Sequence, residues 1–226
     1  MKNAMQLKAL IQNFSKSKNI SSQAVMQNYM LERLLERISI SQYKTNFILK
    51  GGFLISAMIG IDSRTTMDMD ATIQKIVLSK DMVVKMFDDI CNTFLSDNIS
   101  FLLKRIEDIH EHNQYSGYRI HIEAKFEHLL VSLKVDITAG DPITPFKIAY
   151  DYKLLFEPRN IRIYAYNLET IIAEKLETIV SRGNQNTRLR DFYDIYILNN
   201  LLLRNIDFGT LRLALIATSL KEKHYP

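Results

Sequence analysis

Asp68 and Asp70 stand two apart in Met67–Ile73, a run in which apolar and polar residues alternate. Alternation of period two describes a β-strand with one face turned to a core. Both carboxylates then project from the same face. Two like charges side by side are hard to keep ionised unless a cation sits between them, and hard oxygen donors of this kind suit Mg²⁺. A third candidate, Asp136, lies in the run Leu-Lys-Val-Asp-Ile-Thr between Val135 and Ile137, and shares a strand face with Lys134 and Thr138. A neighbouring strand can bring it beside the pair. Three strand carboxylates around two metals suit in-line phosphoryl or nucleotidyl transfer. A lone Asp-x-Asp is also a common solvated strand face, so the surroundings decide.

Those surroundings are informative. Phe47–Leu49 is a short apolar run that ends at Gly51-Gly52, and Phe53–Ile59 resumes as a helix. A strand that turns through paired glycines into a helix directs backbone N–H groups outward, where the helix dipole favours an anion, and glycine lets backbone approach a phosphate closely. Arg64, Thr65 and Thr66 directly precede the carboxylates and can also reach phosphate.

The rest of the chain fixes the class. Ser21 and Ser22 can cap a helix in which Met26, Met30, Leu31, Leu34, Leu35 and Ile38 recur at helical spacing, and a shorter helix is expected near Met5–Phe14. Ser79–Phe94 is amphipathic. Ser100–Ile109, Tyr118–Phe126 and Val131–Thr138 read as strands, the first two joined by a hairpin-like Glu-His-Asn-Gln-Tyr-Ser-Gly loop. Leu168–Ser181, Thr187–Leu203 and Phe208–Leu220 are helical in pattern. The expected fold is α+β: N-terminal helices over residues 1–46, a mixed-sheet core over 47–146 and a C-terminal helical lobe over 147–226. Charge follows this division. Lys and Arg outnumber Asp and Glu by seven to two in the first part and by twelve to nine in the last, but are outnumbered ten to fourteen in the core. Basic flanks around an acidic centre suit phosphates outside and metal within, although solvated faces alone can give the same balance. The single cysteine excludes an intrachain disulfide scaffold and fits a reducing cytoplasm. No apolar run is long enough to span a membrane.

Strand, Gly51-Gly52, helix, Asp68-x-Asp70 strand and a later Asp136 strand together resemble the polymerase-beta-like nucleotidyltransferases. Downstream, Val-Asp-Ile-Thr-Ala-Gly-Asp, Glu-Thr-Ile-Ile-Ala-Glu-Lys-Leu-Glu-Thr-Ile-Val-Ser-Arg and Asn-Thr-Arg-Leu-Arg-Asp-Phe-Tyr-Asp-Ile-Tyr-Ile-Leu, in that order, narrow the likeness to the AbiEii/AbiGii-type abortive-infection toxins, from about Leu31 to Leu203. The resemblance implies a two-metal nucleotidyltransferase, the toxin of a two-gene toxin–antitoxin system that limits phage. Such a protein takes an NTP, and relatives add nucleotides to tRNA ends. It further implies an antitoxin partner and Mg²⁺ held by Asp68, Asp70 and Asp136. Where the family's last motif carries Lys, this chain has Arg190, which keeps the charge but not the compact ammonium. The chain stops at His-Tyr-Pro, earlier than many relatives, so a short or truncated member is expected.

The resemblance also gives roles to the helical lobe. Lys175 matches a nucleotide-contacting Lys and Arg182 the basic residue that ends its motif; seven apart, they share a helix face. Asp191 and Asp194 likewise share a face. Either can take the proton of an attacking hydroxyl or orient Lys175, with Asp191 favoured by its motif position; helix-surface pairs with Arg188 or Arg190 are the alternative. Phe192, Ile195 and Leu198 have core spacing. The nucleotide-binding set is therefore Gly51, Gly52, Arg64, Thr66, Lys175, Arg182 and Arg190. An RNA acceptor would also meet the basic N-terminal segment through Lys16, Lys18, Arg33 and Arg37. A protein hydroxyl as acceptor, or a non-catalytic NTP-binding partner of an antitoxin, are the other readings. His110, His112, His121 and His128 lack a convincing metal spacing, and Cys91 reads as packing rather than a nucleophile.

Overall fold

The computed structural model describes residues 3–111, 115–183 and 187–223. Helices α1 (Ala4–Lys18) and α2 (Ser22–Ile40) open the chain. Ser21 caps α2 by accepting a hydrogen bond from the Ala24 amide. Strand β1 (Phe47–Lys50) leads into α3 (Gly51–Ile59), then β2 (Asp68–Ile73) and α4 (Lys80–Cys91). The strands β3 (Ile99–Glu111), β4 (Tyr115–Phe126) and β5 (Leu129–Ala139) follow as an antiparallel meander. Two shorter strands, β6 (Ile148–Lys153) and β7 (Asn160–Ala165), precede α5 (Leu168–Arg182), α6 (Leu189–Leu202) and α7 (Phe208–Lys223).

All seven strands form one mixed sheet in the order β3-β4-β5-β2-β1-β7-β6. β2 runs parallel to β5 and antiparallel to β1, and β1 runs parallel to β7. The α+β expectation holds, with one correction. Residues 147–226 are not all helical, because β6 and β7 extend the sheet from that segment, and the helices begin at Leu168.

Side-chain alternation sorts the two faces. Met69, Ala71, Val135 and Ile137 are buried in the core, so Asp68, Asp70, Lys134 and Asp136 project from the other face. α2 packs against β5 and β7, and α4 against β3. α5 packs against α6 and α7, and α3 touches α6, which brings the C-terminal helices to the start of α3.

The expected N-terminal phosphate surface loses two of its four residues, while Lys16 and Lys18 stay exposed. Arg33 and Arg37 are 1% and 2% exposed. Arg33 pairs at 2.8 Å with Glu32, Glu36 and Glu157, and Arg37 forks onto Asp97 at 2.8 and 2.9 Å. A guanidinium leaves water only with such partners, so these residues pin α2 to the β6–β7 hairpin and to the start of β3. Lys18 is paired with Asp62 at 2.8 Å. Phe192, placed in the core by its spacing, is 48% exposed, whereas Leu198 is buried.

Candidate active site

The parallel register sets Asp70 opposite Asp136 and Asp68 opposite Lys134. The next strands set Lys50 opposite Asp70 and Arg119 opposite Asp136. One rung of the sheet therefore reads Lys50, Asp70, Asp136, Arg119, with two carboxylates bracketed by two cations. Arg119 holds Asp136 in a two-pronged pair of 2.9 and 2.7 Å, a geometry that matches fork to carboxylate. Burial pushes the Asp70 carboxyl up to about 6; Asp136 and Asp68 push the same way, and Lys50 and Lys175 oppose them.

Gly51 has φ +67°, and a Cβ there would lie 2.2 Å from Asp70 Oδ2. Any side chain would drive the carboxylate out of place. At Gly52 a Cβ would meet the Arg64 guanidinium at 3.0 Å and Thr66 Oγ1 at 3.3 Å. The glycine pair thus lets Asp70 and Arg64 close on the first turn of α3.

The helical lobe adds a buried charge network. Arg64 Nε donates to Asp194 Oδ1 at 2.7 Å, and Lys175 Nζ stands 2.5 Å from Asp191 Oδ1 and 3.1 Å from Asp194 Oδ2. Asp194 is wholly buried and Asp191 is 5% exposed. Their partners are Lys175 and Arg64, not the surface pairs with Arg188 or Arg190 that helix spacing also allowed. Asp191 Oδ2 is buried without a hydrogen-bond partner, and an orphaned buried oxygen calls for an explanation.

Two clefts border this network. One, of about 610 Å³, is lined by Gly51, Gly52, Arg64, Thr66, Asp68 and Arg190. The other, of about 570 Å³, is lined by Lys50, Arg119, Asp141, Glu174, Arg182 and Lys221. Gly51, Asp70, Asp136, Lys175, Arg188 and Asp191 border both. Of the residues singled out from the sequence for this site, Gly51, Gly52, Arg64, Thr66, Asp68, Asp70, Asp136, Lys175, Arg182, Arg190 and Asp191 line one or both clefts, and Asp194 and Thr65 line neither. Arg182 is in the second cleft, apart from Arg64, Thr66 and Arg190.

Sequence reading missed four members. Lys50 donates to Asp141 at 2.8 Å and lies 3.4 Å from Glu174, and Lys221 pairs with the other Asp141 oxygen. Burial works against the charge on Asp141, yet Lys50 and Lys221 hold its carboxyl below the usual range. Asp141 lies in the Thr-Ala-Gly-Asp run already quoted, Lys50 directly precedes the glycine pair, and Arg119 alternates with core residues on β4. Those were usable signals; Lys221, near the end of the last helix, carries none.

The donor chemistry of Asp68 and Asp70 fits a hard cation, and the raised Asp70 carboxyl is one that a cation would relieve. Asp136 is engaged by Arg119, and among the described residues no three His, Cys, Asp or Glu side chains are grouped to hold a metal ion. The expected three-carboxylate cage is therefore not formed. His121 lies 3.0 Å from Glu107 Oε2 and His128 lies 3.4 Å from Lys8. The side chain of His110 and all of His112 fall outside the described residues. Burial raises the Cys91 thiol to about 12, which fits packing.

Comparison with known proteins bears on the fold and the family. A crystal structure described as a candidate nucleotidyltransferase from H. pylori aligns with a TM-score of 0.57 at 16% identity, over 86% of this chain and 76% of its own. The crystal structure of JHP933 from Helicobacter pylori aligns with a TM-score of 0.56 at 16% identity, over 88% and 80%. These likenesses show the fold. No curated protein matches. Among the described residues no helix is long and apolar enough to cross a membrane. The family described as nucleotidyl transferase AbiEii toxin, type IV toxin–antitoxin system, matches residues 33–225, and this chain belongs to that family of nucleotidyltransferase toxins.

Proposed function

We propose that this toxin moves a nucleotidyl group from a nucleoside triphosphate to the 3′ end of an RNA, with tRNA the favoured acceptor, in a Mg²⁺-dependent reaction within a phage-limiting toxin–antitoxin pair. The observation that carries the reading is the meeting of Asp68, Asp70, the Gly51-Gly52 turn and the Lys175–Asp191 pair around one cleft. Backbone N–H groups at the start of α3 suit an anion, and Lys175 and Arg190 add charge for phosphate oxygens. A divalent cation held by Asp68 and Asp70 would neutralise phosphate charge as the bond changes hands. Asp194, shared by Arg64 and Lys175, fixes both cations on the cleft wall. Asp191 receives the proton of the attacking hydroxyl, a role supported by its unpartnered Oδ2.

The test is incubation with each α-labelled NTP, Mg²⁺ and total RNA. Label should enter RNA, be lost with EDTA, and be lost in Asp68→Ala and Asp70→Ala. Label in protein alone would replace the RNA acceptor with a protein hydroxyl, and no label anywhere would overturn transfer.

A further inference from the structure

The two clefts meet along Gly51, Asp70, Asp136, Lys175, Arg188 and Asp191; Gly52, Arg64, Thr66, Asp68 and Arg190 line one alone, and Lys50, Arg119, Asp141, Glu174, Arg182 and Lys221 the other. A reaction that joins two substrates must hold each separately and bring the reacting atoms to one boundary. The geometry points to the Arg182 cleft as the acceptor site, taking the 3′-terminal nucleotide of a single-stranded RNA, while the triphosphate occupies the Gly51-Gly52 cleft. This assignment rests on the nucleotidyl-transfer reading above and moves Arg182 from the donor to the acceptor.

The linings support that direction. The Gly51-Gly52 cleft offers the first turn of α3 and Arg190, groups suited to a run of phosphates. In the other cleft most cations are already matched: Lys50 and Lys221 by Asp141, and Arg119 by Asp136. Arg182, at the end of α5, has no carboxylate partner among the described residues and is half-buried. Thr138, Thr178 and Ser181 add hydroxyls, and Ile109 and Pro142 add apolar surface. One unmatched guanidinium with hydroxyls and an apolar strip suits a single phosphodiester, a ribose and a base better than it suits a triphosphate. A cleft of about 570 Å³ has room for a nucleotide but not for a duplex end.

Asp191 is the second observation. Its Oδ1 is taken by Lys175, while its Oδ2 is buried, unpartnered and at the border of both clefts. With the acceptor in the Arg182 cleft, its 3′-oxygen forms the bond to the α-phosphorus. The bond from the α-phosphorus to the bridging oxygen breaks, pyrophosphate leaves, and the hydroxyl proton passes to Asp191 Oδ2.

Equilibrium binding tests the assignment without turnover. The full chain is titrated with a non-transferable α,β-methylene NTP analogue and, separately, with a short single-stranded RNA ending in a 3′-hydroxyl. Arg182→Gln should weaken the RNA about tenfold and leave the analogue within about twofold, and Arg190→Gln should do the reverse. Arg182→Lys should keep most of the RNA affinity. Weakened analogue binding in Arg182→Gln, or unchanged RNA binding, would overturn the assignment. Wild type that binds the analogue but no RNA would also overturn it while leaving nucleotide use intact. Wild type that binds RNA but no analogue would sink the nucleotidyl-transfer reading, and the donor–acceptor division with it.

Discussion

Arg64 and Asp194, 130 residues apart, share an ion pair of 2.7 Å in which the carboxylate has no exposure to solvent. The pair ties the loop before β2 to α6, and Lys175 joins it from α5 at 3.1 Å. Arg64 and Lys175, on the wall of the Gly51-Gly52 cleft, are thus both held by one buried carboxylate.

Removing that carboxylate should be costly. Asp194→Ala leaves the buried Arg64 guanidinium without its carboxylate and Lys175 with Asp191 alone, and breaking a buried pair from one side typically costs about 3–5 kcal/mol. Asp62→Ala removes the exposed Lys18 pair and should cost no more than about 1 kcal/mol. Urea unfolding of the two variants makes the comparison. Equal costs would mean that Asp194 contributes no more than a surface charge.

Lys175 should divide binding from packing. Lys175→Ala leaves Asp191 and Asp194 facing each other without their shared cation, so catalysis should fall by at least about tenfold, with KM for NTP raised. Lys175→Arg should recover part of this, because a planar fork meets the same oxygens with different geometry. Steady-state kinetics at limiting NTP would show it, and wild-type behaviour in the alanine variant would remove Lys175 from the site.

The glycine pair offers a contrast within two residues. Gly51→Ala meets both a positive φ and a 2.2 Å approach to Asp70 Oδ2, so it should displace that carboxylate and lower kcat steeply. Gly52→Ala meets the movable ends of Arg64 and Thr66 at 3.0 and 3.3 Å, and should be milder. Circular dichroism with kinetics separates lost fold from lost site. If Gly52→Ala proves the more damaging, the close approach at Asp70 does not govern activity.

How far the sequence carried this is clearest at individual residues. Asp68, Asp70 and Asp136 were legible because period-two alternation specifies a face, and the observed register does set Asp70 beside Asp136. Arg119 was not, because nothing local to β4 says which rung of β5 it will meet. Asp194 was legible as a group that could orient Lys175, beside the alternative of a surface pair with Arg188 or Arg190; it does pair with Lys175, and its second partner, Arg64, was not legible because nothing local to α6 points to the loop before β2. β6 and β7 do alternate, as Ile-Ala-Tyr-Asp-Tyr-Lys and Asn-Ile-Arg-Ile-Tyr-Ala, but each has only six residues. Short runs give weak period signals, and the helical pattern that follows dominated the segment.

Cys91 should be chemically quiet. Burial raises its thiol to about 12, so at pH 8 the thiolate fraction is roughly a thousandth of that of an unperturbed cysteine. The linkage sign follows: the unfolded chain loses this proton near pH 9 and the native chain does not, so the contribution to stability is full below pH 9 and declines as pH rises toward 12. Labelling with a disulfide reagent at pH 8, native against urea-unfolded, measures it. Equal rates would mean an accessible thiolate.

Arg119 gives the sharpest test of the proposed cation site, because it competes for the carboxylate that a second cation would need. Its fork occupies both Asp136 oxygens, and its side chain is 40% exposed against 20% for Asp136. Arg119→Gln removes the charge, keeps an amide that can still donate, and leaves Asp70 and Asp136 adjacent without the cation at that end of the rung. Mutual repulsion then falls more heavily on a bound ion. Mn²⁺ titration followed by electron paramagnetic resonance should show affinity rising by about fivefold, the scale of a partly exposed ion pair. Stability in EDTA should fall at the same time, because the two carboxylates have lost a counter-charge. Added Mn²⁺ should then restore more stability to the variant than to the wild type, since an ion that binds the native state stabilises it in proportion to its affinity. Unchanged Mn²⁺ affinity would show that Asp136 stays outside the cation site even when it is released, leaving Asp68 and Asp70 as its only carboxylates.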